Sequence, residues 1–339
     1  MKRFWLFRSN LKIFEYYHQY KDLETFEKLC HDYYLLLPLW LLKENYFDEV
    51  IIWRLTDKLK DDIIFDVNGK PFIQKWVKSF DEVVNYPSPD FSLFRGGFPQ
   101  YDKLVMKYRG KLGTTLYLGT GKRIYSQYGG EYDVYLQEDE KDFRENKTCL
   151  PFFKTASPHI FYPIEGTKIK YDICWPCNWS QHKYKGQKLF ISEIAKSSYL
   201  QSLKIVHCGN KPEMGIEIAK KYNVTNIEFM GSVDRSHLND ILNVSSFGLN
   251  LSNIQDGCPR VSTEVLMSGT PLILKEETRL LDLYKNHGVV MVNEKNIAKK
   301  IKEAIRNKDE YKRQVRWAIK NTLSFDEINK KNINTWKKI

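Results

Sequence analysis

The residues best placed to do chemistry lie in one segment, LNLSNIQDGCPRVSTEVLMSGTPLIL, Leu249 to Leu274. An apolar run ends at Ser252, Asp256 and Gly257 stand in the loop that follows, and Pro259 opens a helical pattern that continues to Gly269. Proline suits the first turn of a helix, where its missing N–H leaves nothing unpaired, and glycine suits the end. A loop feeding a helix N-terminus at the carboxyl end of a parallel strand is where α/β proteins bind phosphorylated ligands, because free backbone N–H groups and the helix dipole meet there. Gly257 would let the backbone approach a diphosphate. Arg260 would sit in the first turn beside the anion, and Glu264, one turn on, can accept hydrogen bonds from a ribose hydroxyl pair.

The surrounding sequence has the elements needed to hold such a site. Short apolar runs at 203–208, 226–230, 247–252, 271–274 and 289–292 alternate with helix-period segments at 186–198, 212–222, 235–243, 259–268 and 278–286. This alternation predicts a parallel sheet with crossover helices, a complete doubly wound domain whose first strand begins at Tyr171. The first half is less regular. Strands are expected at 4–7, 50–55, 91–94, 115–118 and 133–136, with helices at 23–43 and 101–109, making a second α/β domain. Pro163 and Gly166 punctuate the junction. The expected division is 1–165, 166–322 and a final helix within 323–339.

The order of motifs resembles the retaining glycosyltransferases of family 4, the glycosyl transferases group 1, and their GT-B relatives. Their fingerprint is an acidic residue, seven others and a glutamate, followed by Gly-x-Pro; here Asp256, seven residues, Glu264 and then Gly269-Thr270-Pro271 stand in that order. Upstream, CGNKPE, IEFMGSVDRSHLNDIL and SFGLNLS follow the family's succession of strand, glycine turn, helix and strand. The resemblance implies two Rossmann-like domains facing a cleft, with a C-terminal helix returning to the first. It implies that Asp256 contacts the donor sugar, that backbone at Gly257 and Cys258 holds the diphosphate, that Glu264 binds the ribose, and that Gly231 and Val233 border the nucleotide. Lys185-Gly186 corresponds to the family's Lys-Gly before a helix, whose lysine meets the phosphate; the arginine expected five residues earlier is Ser180, and Lys183 is its substitute. Asp256 itself replaces the usual glutamate.

In the first half, Arg95-Gly96-Gly97 and Gly119-Thr120-Gly121-Lys122 are glycine turns after strands, each a candidate for lining the cleft or, more simply, an ordinary loop. His159 has the setting of a surface histidine. Cys174 and Cys177 have the spacing of a redox dithiol or half a zinc site, but no second CxxC completes the latter. Glu138-Asp139-Glu140 stands within the acidic run QEDEKDFRE and is expected to be a solvated loop. No metal or other cofactor is expected, and a nucleoside diphosphate sugar is the expected donor.

A chain of 339 residues with 42% hydrophobic and 14% aromatic content is long enough for two cores and too apolar for disorder. The run YYLLLPLWLL is too short to span a bilayer, and the N-terminal stretch has no secretory pattern, so the expected location is cytoplasmic. The net charge is +11, and from Lys295 onward 14 Lys/Arg stand against 5 Asp/Glu. That excess suits a solvated helical face or peripheral contact with an anionic membrane, consistent with a glycan or lipid-linked acceptor. Two other classes stay open: a catalytically inactive GT-B-like nucleotide binder, and a nucleic-acid-binding protein using the basic tail. The latter is not expected, since no recognisable module or stacking platform accompanies the charge.

Overall fold

The computed structural model describes residues 1–8, 22–56, 61–119, 123–179, 185–253 and 259–339. The chain divides into two compact units, one of Met1–Phe152 with Asn332–Ile339, the other of Phe153–Lys331.

The first unit is built on an eight-stranded sheet. Its strands are β1 (Arg3–Arg8), β2 (Glu49–Leu55), β3 (Ile63–Val67), β4 (Lys70–Val77), β5 (Phe91–Arg95), β6 (Thr114–Leu118), β7 (Val134–Gln137) and β8 (Cys149–Pro151), in the order β3-β4-β2-β1-β5-β6-β7-β8. All neighbours are parallel except β3 and β4. That antiparallel pair, absent from the sequence reading, is a hairpin over Asn68 and Gly69, with φ of 55° and 79°. Asn-Gly favours this two-residue turn because both residues tolerate positive φ. The central strands are apolar on both faces, as buried parallel strands are: Trp5, Phe7, Trp53 and Phe94 pack on one side, while Phe4 stacks on Trp336 at 6.1 Å. The helix expected over 23–43 is two helices, Leu23–Leu29 and Tyr33–Lys43. Cys30 is extended and the Asp32 carboxylate accepts from the Tyr34 N–H, so a cap interrupts what periodicity alone joins.

The second unit carries a six-stranded sheet of β9 (Tyr171–Pro176), β10 (Ile205–Cys208), β11 (Ile227–Gly231), β12 (Ser245–Asn250), β13 (Leu272–Lys275) and β14 (Val289–Val292). The order is β11-β10-β9-β12-β13-β14, parallel throughout. Crossover helices at Gln187–Lys196, Pro212–Lys221, Arg235–Asn243 and Arg260–Met267 follow the predicted rhythm. The helix expected over 278–286 shrinks to Asp282–Lys285, because Thr278 is drawn into the loop packing and donates its hydroxyl to the Ser252 carbonyl. After β14 the chain forms three helices, Ile297–Arg306, Lys308–Asn321 and Phe325–Trp336, the last of them within the expected 323–339. In the first of these Ile297, Ile301 and Ala304 are buried while Lys299, Lys302 and Arg306 face solvent, as their spacing predicts.

β12 meets the Arg260–Met267 helix at a glycine. A Cβ on Gly248 would lie 2.5 Å from Val265 Cγ1, so the helix can rest on the strand only where no side chain intervenes. Gly248→Ala is expected to lower stability by about 1–3 kcal/mol through overpacking, read as a lower midpoint in urea unfolding. An unchanged midpoint would show that the helix slides freely on the sheet.

Candidate functional site

Of the residues singled out in the second half of the sequence, Lys185, Gly231, Val233, Arg260 and Glu264 are described. β12 is buried along its whole length and runs out toward residues 254–258. Asp256, Gly257 and Cys258 lie outside the described residues, as do Lys183 and Gly121. The helix that follows begins at Arg260, with Pro259 as its N-cap at φ −65° and ψ 133°. Pro259 therefore stands one position before its expected place inside the helix. Its carbonyl accepts from the Ser262 N–H at 3.1 Å, and extended ψ is what turns the chain into the helix. The helix ends as predicted: Gly269 has φ 74°, its N–H reaches the Leu266 carbonyl at 2.9 Å, and Thr270 N–H reaches that of Val265 at 3.3 Å.

Asn250, the last residue of β12, secures this turn. Its buried amide donates from Nδ2 to Ser262 Oγ at 2.8 Å and accepts at Oδ1 from the Ser252 N–H at 3.0 Å. Strand end, loop start and first helical turn are thus tied by one side chain, which the sequence reading did not single out.

Lys185 and Gly186 arrive at the same edge from another direction. Gly186 has φ 70° and precedes the Gln187–Lys196 helix. A Cβ there would lie 2.5 Å from the Leu251 carbonyl oxygen, so only glycine lets this backbone press against the chain just beyond β12. Lys185, half-buried, immediately precedes this contact in sequence. Gln187 is buried and donates to the Asn178 carbonyl at 2.8 Å, while Asn178 Oδ1 accepts from the Asn210 N–H at 3.0 Å. Gly209 N–H in turn reaches the Gly231 carbonyl at 2.8 Å. These bonds knit the turns after β9, β10 and β11. Gly231 has φ 75°, and Val233, two residues on, is half-buried.

Glu264 is 3% exposed, and its Oε2 lies 2.9 Å from Nη1 of Arg235. Arg235 opens the Arg235–Asn243 helix, whose N-cap Asp234 accepts from the His237 N–H at 2.7 Å. The sequence reading missed this partner. A signal existed, because a cation in the first turn opposes the helix dipole and so calls for a compensating anion. Arg260 is exposed on the first turn of its own helix.

Elsewhere, Gly96 has φ 106° and its N–H reaches the Leu118 carbonyl at 2.9 Å, while Gly97 and Gly119 line the neighbouring turns. Asp139 of the acidic run caps a short 3₁₀ turn over Glu140–Asp142, and Glu138 accepts from the Tyr34 hydroxyl at 3.1 Å, so these two are engaged in the fold, while Glu140 is exposed as expected. The CxxC thiols part company. Cys174 is buried within β9 with Cys208 as its neighbour, and burial pushes its thiol well above the usual range, which keeps it unreactive. Cys177 instead accepts from Gln187 Nε2 at 3.6 Å. His159 is exposed. Among the described residues no group of three or more His, Cys, Asp or Glu side chains could hold a metal ion, and no helix is long and apolar enough to cross a membrane.

Two parallel-sheet units of this topology define the GT-B fold, and solved structures match it over the whole chain. A sucrose-phosphate synthase from Thermosynechococcus elongatus has a TM-score of 0.67 at 11% identity, with 100% of this chain and 99% of that one covered. The Anabaena protein HepE, solved with UDP and glucose, gives 0.65 at 9% identity with 100% of both chains covered. A glycosyltransferase from Rickettsia africae gives 0.64 at 12%, covering 99% of this chain and 98% of that one. At such identities the likeness speaks for the fold. In sequence, residues 170–307 match the family of glycosyl transferases group 1, the resemblance that the motifs carry. No curated protein matches the chain in sequence.

The site rests on an aromatic floor with one histidine in it. His207 on β10 is fully buried among Trp175, Trp179 and Phe229, with ring centroids 5.2, 5.6 and 5.4 Å away. Burial disfavours its charged form and pushes its pKa down to about 4. In the unfolded chain the same group titrates near 6.5. Between these values the unfolded state binds more protons, so the neutral imidazole's contribution is complete above about pH 6.5 and is lost as the pH falls toward 4. Relative to His207→Phe, the wild-type protein is expected to lose roughly 3 kcal/mol across that window. Urea unfolding of both proteins at several pH values checks this, and parallel acid profiles would refute it.

Proposed function

We propose that the protein transfers a sugar from a nucleoside diphosphate sugar to a hydroxyl of a glycan or lipid-linked acceptor, with retention of configuration and without a metal ion. In this reading residues 153–331 hold the nucleotide and residues 1–152 serve the acceptor. The observation that supports it is the approach of Gly186, next to Lys185 in sequence, to Leu251, which shortly precedes Asp256 in sequence, while Glu264 stands one turn into the helix that begins at Arg260.

Each residue then has a task set by its chemistry. Glu264 accepts hydrogen bonds from the ribose hydroxyls, and Arg235 aims the buried carboxylate and meets its charge, since a neutral ribose cannot supply the countercharge. Gly231 and Val233 border the nucleotide. When the bond between the sugar's anomeric carbon and the diphosphate breaks, negative charge grows on the leaving oxygen. Lys185, Arg260 and the backbone N–H groups at Gly257 and Cys258 meet that charge, with Lys183 close by in sequence, and fixed donors of this kind act without reorganisation. Asp256 holds the donor sugar, and the acceptor hydroxyl attacks on the face that the diphosphate leaves, passing its proton to the departing phosphate oxygen.

UDP is the first nucleotide to test, because HepE was solved with it. Glu264→Ala should weaken UDP binding by about 1.5–3 kcal/mol, as expected for hydrogen bonds to a charged group; calorimetry that finds unchanged affinity in the folded variant removes Glu264 from the site. Lys185→Ala should lower kcat by roughly ten- to a thousandfold while sparing nucleoside affinity, which is the mark of an interaction made mainly in the transition state. Hydrolysis across a panel of sugar nucleotides supplies the assay, and equal rates for wild type and variant would move the role to another cation.

A further inference from the structure

The first sheet has a topological switch point of its own. The chain leaves β1 toward β2 and later returns to β5 on the opposite side, so the carboxyl ends of β1 and β5 flank a topological switch point. Open α/β sheets take ligands at such crevices. Arg8 and Arg95 end these two strands and are register partners. Arg8 is compensated by Asp32 at 2.5 Å. Arg95 is different: its Nη1 donates to the Gly119 carbonyl at 2.6 Å, its guanidinium lies 4.3 Å from the centroid of the Tyr34 ring, and it has no carboxylate partner among the described residues.

Arg123 mirrors this arrangement from the next turn. Its Nη1 donates to the Gly97 carbonyl at 3.0 Å, and it too lacks a carboxylate partner among the described residues. The two turns are therefore laced reciprocally, each arginine anchored to a carbonyl of the other's loop. Glycine makes the lacing possible, since a Cβ on Gly97 would lie 2.8 Å from Arg123 Cβ and one on Gly119 would lie 1.9 Å from the Arg123 carbonyl oxygen. A guanidinium carries five N–H donors in a rigid fork. Anchored by carbonyls and, for Arg95, by an aromatic face, these two retain donors for an outside acceptor. Cross-bracing alone could be done by neutral side chains at no cost in uncompensated charge. Two fixed guanidinium forks without acids are suited to an oxyanion, which they can grip bidentately.

We propose that Arg95 and Arg123, with the Gly96-Gly97 turn and Gly119, form an anion subsite that takes a phosphate or carboxylate group of the acceptor. Calling the ligand an acceptor rests on the sugar-transfer reading, but the binding of an anion does not. The test is calorimetric titration of inorganic phosphate, and separately of acetate, into the full chain at low salt with UDP saturating the other unit. Saturable binding of either ion is expected, and the ion preferred tells phosphate from carboxylate. Arg95→Gln and Arg123→Gln should each weaken it roughly ten- to a hundredfold, with UDP affinity unchanged. Arg123 is exposed, so its variant carries the test should Arg95→Gln fail to fold. No binding of either ion, variants that bind as wild type does, or an equal loss of UDP affinity would each overturn the subsite. If neither UDP nor any other nucleoside diphosphate binds, the sugar-transfer reading fails, while phosphate binding in their absence, still sensitive to Arg123→Gln, upholds the subsite.

Discussion

The close packing of Gly186 against Leu251 is the contact on which the arrangement of the second unit's site turns. Two stretches of chain more than sixty residues apart meet there with no side chain between them. A left-handed glycine conformation redirects the backbone into the Gln187–Lys196 helix at that point. Any larger residue would push the lysine-bearing turn away from the end of β12, and strain at a positive φ would add to the steric cost. The other glycine approaches along this edge repeat the theme. Gly248 seats the Arg260–Met267 helix, and a Cβ on Gly209 would lie 2.0 Å from the Cys177 carbonyl oxygen.

Polar side chains then hold what the glycines allow. Asn250, Gln187 and Asn178 each satisfy backbone or hydroxyl groups of a neighbouring turn, so the loops at the carboxyl edge are positioned by hydrogen bonds, from buried side chains at Asn250 and Gln187 and an exposed one at Asn178. Such bonds contribute modestly to net stability but are costly to leave unmade. They favour one arrangement of the turns over its alternatives. The Glu264–Arg235 pair obeys the same logic more strongly, because a carboxylate that is 3% exposed must have its charge met. The first unit manages its charges otherwise: Arg8 is matched by Asp32, while Arg95 leans on an aromatic ring and carbonyls.

Local chemistry in the chain was sufficient for much of this organisation. Alternating apolar runs and helix-period segments located every strand of the second sheet within a few residues, since a parallel strand buried on both faces needs a continuous apolar run. The Gly269 stop, the amphipathic face of Ile297–Arg306 and the Arg235–Asn243 helix were equally legible, each being set by residues close in sequence. The 63–77 hairpin escaped only because its Asn-Gly signal lies between strands of mixed polarity. The cap at Asp32 was hidden by apolar residues continuing on both sides.

Which residues share a site was decided by the fold. Motif order suggested Glu264 and Lys185 as members of one constellation, but not that Arg235, from another crossover unit, would occupy the Glu264 carboxylate, nor that Asn250 would reach across the loop after β12 to tie strand to helix. The separation of Cys174 from Cys177 was likewise invisible in their spacing: one sits within a strand that points its thiol into the core, and the other lies beyond the strand's end. Periodicity and capping are short-range properties, and the sequence alone determines them residue by residue. Charge pairing, burial and the near-contact of backbones depend on which segments the sheet order makes neighbours, and only the tertiary structure supplies that.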